Sequence, residues 1–179
     1  MAPYPNTLAE ALTAASIDKV DAQILLQHVL DVDHAFLLTH PKQVLTEQQH
    51  ADFLNLTQRR KEGIPVAYLT GQRAFYDLTF EVSDAVLIPR PETELLVDLA
   101  LQHIPADKPS KVLDLGTGSG VLAITIAKHR PYAQVTAVDV SKDAIAICQR
   151  NARNVHVQNI RFITASWFDE LLYETFDLI

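Results

Sequence analysis

Lys111-Val112-Leu113-Asp114-Leu115-Gly116-Thr117-Gly118-Ser119-Gly120, followed by Val121-Leu122-Ala123-Ile124-Thr125-Ile126-Ala127-Lys128, decides how this chain folds. The run 111–115 is short, apolar and closed by a glycine, which reads as a buried strand. Three glycines in five residues then make a tight loop, and the apolar stretch 121–128 reads as a helix. The same alternation continues outward. Residues 134–139 read as a second strand, Ser141 caps a helix running to about Val155, 160–164 is a third strand and 176–179 begins a fourth. Strands joined by helices imply right-handed crossovers and a parallel sheet, so the fold class is α/β.

Upstream the pattern changes twice. Residues 1–70 read as a small helical bundle: Leu8, Leu12 and Ala15 fall at helical spacing, as do Val20, Ile24, Leu25 and Val29. Thr46 with Gln49 three residues later has the form of a capping box; Phe53, Leu54 and Leu56 follow, and Gly63 suits a C-terminal cap. Residues 71–90 form a linker in which 74–82, rich in aromatic and β-branched residues and with Asp77 at the turn, predicts a β-hairpin. The third part, 91–179, opens with a helix at Pro91, Glu92 and Glu94 lying near its positive end. Leu95, Leu96, Leu99 and Ala100 give that helix an apolar face.

The totals exclude several classes. A chain of 179 residues with 48% hydrophobic residues supplies a core, and a formal charge of -7 argues against a basic nucleic-acid grip. The single cysteine, Cys148, rules out an internal disulfide framework and points to a reducing cytoplasm; its apolar helical position reads as core. No apolar run reaches the roughly 18 residues of a membrane span. The N-terminus lacks the basic start and apolar run of a signal peptide. The seven histidines are scattered, so no metal is expected, and no local Ser-His-Asp signature is present.

The glycine loop makes the first chemical statement, because bare backbone lets a ligand lie directly against the chain. Gly118, Gly120 and Ala123 also match the G-x-G-x-x-A spacing of a dinucleotide site, so the glycines alone leave NAD and S-adenosylmethionine both open. Asp114 favours the second. A carboxylate inside an apolar strand is costly without partners, and either the loop amides or a ligand ammonium supplies them. S-adenosylmethionine carries an ammonium; a dinucleotide has no counterpart and needs a free helix N-terminus for its pyrophosphate. Asp139, 19 residues beyond Gly120, ends the second strand where a ribose-binding acid sits in this architecture. Trp167 follows the third strand and offers a flat apolar surface for adenine, or alternatively packs beneath the fourth strand.

Asp114 to Gly120 (DLGTGSG) resembles the cofactor loop of class I S-adenosylmethionine-dependent methyltransferases, whose core is Rossmann-like. More narrowly, Leu87 to Glu94 (LIPRPETE) resembles the linker signature of the peptide chain release factor glutamine methyltransferases, the PrmC/HemK family. Asp21 to Leu26 (DAQILL) and Pro65 to Gly71 (PVAYLTG) resemble that family's N-terminal helical domain, and all pieces occur in the family's order. The resemblance implies methyl transfer from S-adenosyl-L-methionine to the side-chain amide nitrogen of glutamine in the Gly-Gly-Gln motif of a release factor. Cofactor contacts then fall on Asp114, Gly116, Thr117, Gly118, Ser119, Gly120, Asp139 and Trp167, with Arg90, Thr93 and Glu94 at the pocket mouth. The acidic balance and the lack of a membrane-length apolar run give the expectation of no direct nucleic-acid partner and no membrane partner.

Two departures stand out. Ser166 occupies a position where the family often has an acid. The family's Asn-Pro-Pro-Tyr motif is expected after the fourth strand, the chain ends at Ile179 before it, and no Asn-Pro-Pro occurs in the sequence. The expectation is therefore an incomplete methyltransferase domain that binds cofactor without catalysis by residues 1–179 alone. The alternatives are an NAD-binding oxidoreductase fragment and a non-catalytic binding module.

Overall fold

The computed structural model describes residues 7–179; the first six residues of the predicted helical segment lie outside the described residues. The chain divides into two compact units between Thr70 and Gly71.

The first unit is helical: α1 (Leu8–Ala14), α2 (Lys19–Leu30), α3 (His34–Thr39), α4 (Glu47–Lys61) and α5 (Val66–Thr70). Capping sets their starts. The Thr46 hydroxyl accepts from Gln49 N while Gln49 reaches back to Thr46 N, and Gly63, at φ 96°, lies just past the end of α4. Thr7 and Glu10 form the same reciprocal box on α1. The sequence reading missed α3, whose start is fixed by Asp33 accepting from Phe36 N at 2.8 Å.

The apolar stripes expected for α2 and α4 need correction. Val20, Ile24 and Leu54 are exposed. On α2 the buried line runs through Ala22, Leu25 and Leu26 with Val29 partly buried, which is the i, i+3, i+4, i+7 face. On α4 it runs through His50, Phe53 and Thr57. Small alanine and two polar side chains mark the true inner faces, so bulk hydrophobicity pointed one position away. Leu8, Leu25, Leu26, Phe53 and Leu69 join in this unit's core.

The second unit begins with an antiparallel hairpin, β1 (Gln72–Phe75) and β2 (Leu78–Glu81), in register Gln72↔Glu81 and Phe75↔Leu78. Phe75 and Phe80 meet edge to face at 6.1 Å in its core. A 3-10 turn, Pro91–Thr93, leads into α6 (Glu94–His103). On α6 the buried face is Val97 and Ala100, continuing to Ile104, whereas Leu95, Leu96 and Leu99 are exposed. Then follow β3 (Ser110–Leu115), α7 (Val121–His129), β4 (Ala133–Asp139), α8 (Lys142–Asn154) and β5 (Ile160–Thr164).

β3, β4 and β5 form a parallel sheet in that order. Val112, Val135 and Ala137 face one core with α7 and α8, and Leu113, Val138 and Leu171 face the other, the two-residue alternation of a sheet covered on both sides. The predicted fourth strand is present as a parallel bridge: Leu178 pairs with Val112, and Leu113 N donates to Leu178 O at 2.9 Å. It lies on the edge of β3 away from β4. Strand order therefore reverses at β3, and a ligand crevice in such sheets opens at the C-terminal ends of the strands flanking that reversal.

A candidate S-adenosylmethionine pocket at the end of β3

The loop between β3 and α7 turns on three left-handed glycines, Gly116, Gly118 and Gly120, at φ 76°, 56° and 87°. Gly116 N and Thr117 N both donate to Val138 O, at 2.8 and 2.9 Å, stapling the loop to β4. Gly120 adds a second requirement: a Cβ there would sit 2.4 Å from Cys148 Sγ and 2.6 Å from Ile124 Cδ1. Only glycine meets both demands. Cys148 is fully buried beneath this loop, and burial pushes its thiol pKa up to about 12.

Two acids hold the loop from opposite sides. Asp114 Oδ2 accepts from Thr117 Oγ1 at 2.7 Å and from Ala123 N at 3.3 Å, in the first turn of α7. Among the described residues, Asp114 Oδ1 has no hydrogen-bond partner. Burial raises the Asp114 pKa above the ordinary value, the Thr117 and Ala123 bonds oppose the rise, and the charge of Asp139 adds to it. Asp139 Oδ2 accepts from Gly118 N and its Oδ1 from Ser141 N, both at 2.9 Å. Ser141 caps α8 by accepting from Ala144 N, as its position in the sequence suggests.

A cavity of about 260 Å³ opens beside this frame, lined by Leu115, Gly116, Val138, Asp139, Val140, Ala165, Ser166 and Trp167. Trp167 is 71% exposed, with φ 50°. It does not pack beneath the fourth strand; it stands at the cavity wall, held in a backbone region that bulky residues rarely adopt. A second cavity of about 330 Å³ lies on the other side of β3, lined by Asp114, Leu115, Leu122 and Ile126 together with Leu96, Leu99, Leu178 and Ile179. Leu115 borders both. The strand end thus separates an Asp139 side from an Asp114 side.

Of the predicted cofactor residues, Gly116, Asp139 and Trp167 line the first cavity and Asp114 the second, while Thr117, Gly118, Ser119 and Gly120 form the loop between them. Thr117 and Ser119 are buried, and the Thr117 hydroxyl serves Asp114. Arg90, Thr93 and Glu94 line neither cavity. Glu94 instead accepts from Tyr76 N at 2.9 Å, bracing the hairpin turn against α6. Sequence reasoning missed Asn151, fully buried on α8, which hydrogen-bonds both the loop and β2. A polar residue inside an apolar helical stripe was the signal available. Among the described residues no three His, Cys, Asp or Glu side chains group as metal ligands, and no helix is long and apolar enough to span a membrane.

The arrangement bears directly on which ligand fits. A pyrophosphate at the start of α7 would meet the Asp114 carboxylate already bound to Ala123 N, and like charge repels it there. A cationic amino group on the Asp114 side and ribose hydroxyls on the Asp139 side both find acceptors.

Comparison with known proteins finds relatives along the chain. Residues 6–71 match the family described as PrmC N-terminal domain, and residues 93–179 match the family described as Methyltransferase small domain. The release factor glutamine methyltransferase of Xylella fastidiosa is 46% identical over 99% of this chain and 64% of its own length. That of Shewanella oneidensis is 41% identical over 97% of this chain and 63% of its own length. The Escherichia coli protein of the same name is 40% identical over 98% of this chain and 64% of its own length. Among solved structures, a SAM-dependent methyltransferase from Agrobacterium tumefaciens is 27% identical over 53% of this chain and 32% of its own, with a TM-score of 0.44. The chain spans slightly under two thirds of the length of the curated relatives it matches. Along nearly all of its residues, the chain is similar to the release factor glutamine methyltransferases.

Proposed function

We propose that this chain binds S-adenosylmethionine across the C-terminal end of β3 and serves methyl transfer to a glutamine side-chain amide of a peptide chain release factor, in the cytoplasm. The observation that carries the reading is the pair of carboxylates, Asp114 and Asp139, on opposite sides of one glycine loop. Each has acceptor capacity left after bracing that loop. Asp114 Oδ1 is placed to take the ammonium of the methionine end. Asp139 oxygens, each with one backbone donor, retain lone pairs for the ribose hydroxyls. Val140, Ser166 and Trp167 offer the wall for the adenine.

When bound, S-adenosylmethionine supplies an electrophilic methyl sulfonium. An amide nitrogen is a poor nucleophile because its lone pair is delocalised into the carbonyl, so the protein's task is alignment. The glycine loop and the two acids fix the donor's position. Leu115, Val138 and Val140 give one side of the crevice an apolar lining. The release factor enters the proposal through the names of the relatives. The proposal extends to the helical unit, which matches the PrmC N-terminal domain, as the part that recognises that substrate. Crosslinks from a release factor to residues 7–70 support that assignment, and crosslinks confined to the second unit reject it.

The test is calorimetric titration of the chain with S-adenosylmethionine and, in parallel, with NAD. We expect binding of the first only, weakened by about 1.5–3 kcal/mol in Asp139→Ala, the value of hydrogen bonds to a charged group. NAD binding without S-adenosylmethionine binding overturns the proposal.

A further inference from the structure

Asn151 is fully buried on α8, yet every polar atom of its side chain is used. Its Oδ1 accepts from Glu81 N at 2.7 Å. Its Nδ2 donates to Glu81 O at 3.0 Å and to Ser119 O at 2.9 Å. The partners dictate the amide's orientation: a backbone N–H needs the oxygen, and two carbonyls need the nitrogen. The side chain therefore pairs with Glu81 as a neighbouring strand would, on the edge of β2 away from β1, and its remaining donor reaches the glycine loop.

The loop contact falls at a particular peptide. Ser119 O and Gly120 N belong to one planar unit. Its carbonyl is held by Asn151 and its amide by Thr117 O at 2.8 Å. The Thr117–Gly118 plane, two steps earlier, is fixed through Gly118 N on Asp139. Glycine at 118 and 120 gives the loop freedom to leave this geometry, so external bonds must select it. Asn151 lines neither cavity, which separates it from the ligand-contacting set. Its neighbour Arg150 grips the Glu81 carboxylate through Nε and Nη2 without touching the loop.

We propose that Asn151 is a positioning residue: it locks the Ser119–Gly120 peptide in the ligand-receiving conformation and ties that loop to the end of the hairpin. Its value for ligand affinity rests on the S-adenosylmethionine reading above; its hold on the loop does not.

The experiment compares the wild-type chain with Asn151→Ala, Asn151→Asp and Arg150→Ala. Amide hydrogen exchange at Gly118 and Gly120 is measured without ligand, and S-adenosylmethionine affinity well below each variant's melting temperature. Both Asn151 variants should exchange faster at Gly120 and bind roughly three- to tenfold more weakly, the loss of one net hydrogen bond. Arg150→Ala should leave both readouts at the wild-type level. Unchanged exchange at Gly120 in Asn151→Asp overturns the proposal, as does wild-type affinity accompanied only by a lower melting temperature. If wild type binds no S-adenosylmethionine, the ligand assignment fails and the exchange result alone decides the loop lock. Should neither Asn151 variant fold, the Asn151 side-chain amide resonances of wild type decide: they should shift on adding S-adenosylhomocysteine, and unmoved resonances overturn the inference.

Discussion

Replacing Gly120 by alanine tests the packing of the ligand loop more sharply than any other single change. Two costs combine. The residue sits at φ 87°, where an L side chain is strained by roughly 1–2 kcal/mol. The new Cβ would also lie 2.4 Å from Cys148 Sγ and 2.6 Å from Ile124 Cδ1, both fully buried. Overpacking of that kind costs about 1–3 kcal/mol. The sum, about 2–5 kcal/mol, lowers the second unit's melting temperature by on the order of 8–20 °C, taking roughly 4 °C per kcal/mol. Gly118→Ala is the internal control: its φ is 56° and nothing lies within 4 Å of the added Cβ, so only the strain remains. Denaturant unfolding of both variants, each also made in a Cys148→Ala background, completes a double-mutant cycle. Removing the sulfur should recover about 1 kcal/mol or more of the Gly120→Ala cost and none of the Gly118→Ala cost. Additivity of Gly120→Ala and Cys148→Ala to within about 0.5 kcal/mol would refute the claim that the thiol sets this glycine.

Asp114 has a pKa raised by burial, so the native state holds its proton to higher pH than the unfolded chain does. Stability should therefore fall as pH rises from the unfolded value through the raised one, and Asp114→Asn should remove that step in pH-dependent melting. Over the same window S-adenosylmethionine affinity should run the opposite way, weakening as pH falls and the carboxylate protonates; an affinity flat in pH contradicts an ammonium contact. Cys148, with its pKa pushed up to about 12, should resist thiol reagents in the native chain at neutral pH and react at once in guanidinium. Rapid native labelling would mean the loop opens. Trp167 is the sole tryptophan and stands exposed at the cavity wall, so titration with S-adenosylmethionine should shift its fluorescence; an unaltered spectrum at saturation places the adenine elsewhere.

The fold was legible where local chemistry and burial agree. Strands 111–115 and 134–139, the Ser141 cap, the Thr46–Gln49 box and the hairpin turn at Asp77 are short-range signals, and each appears where the sequence puts it. Helix faces were less legible. Val20, Ile24, Leu95 and Leu96 look like core and are exposed, because the inner lines of α2 and α6 run through Ala22 and Ala100, which carry little hydrophobic weight. The side chain that holds the loop from α8 was legible only as a polar residue in an apolar helical stripe. Nothing local announces that Asn151 reaches Ser119, since that contact spans 32 residues and exists only once α8 has packed against the sheet.

The candidate site divides along the same line. Its two acids could be named from the sequence because strand ends and glycine spacing fix their positions. Their bracing of the loop was legible for Asp114, an acid in an apolar strand that needs partners nearby, and not for Asp139. Asp114 spends hydrogen-bonding capacity on the Thr117 hydroxyl and Ala123 N, and Asp139 on Gly118 N and Ser141 N, so each is a brace as well as a candidate ligand contact. These roles reinforce one another. A carboxylate already oriented by backbone donors loses little conformational entropy when a ligand arrives, and its remaining lone pairs point where the loop directs them. The same donors keep the Asp114 charge tolerable at the buried start of α7, where an unpartnered acid would not survive. A loop built this way favours a ligand that brings positive charge to one acid and hydroxyls to the other, and it disfavours a pyrophosphate. The choice between the two nucleotide classes, open on glycine spacing alone, therefore turns on the two acids, with Asp114 already seated on Ala123 N where a pyrophosphate would have to bind.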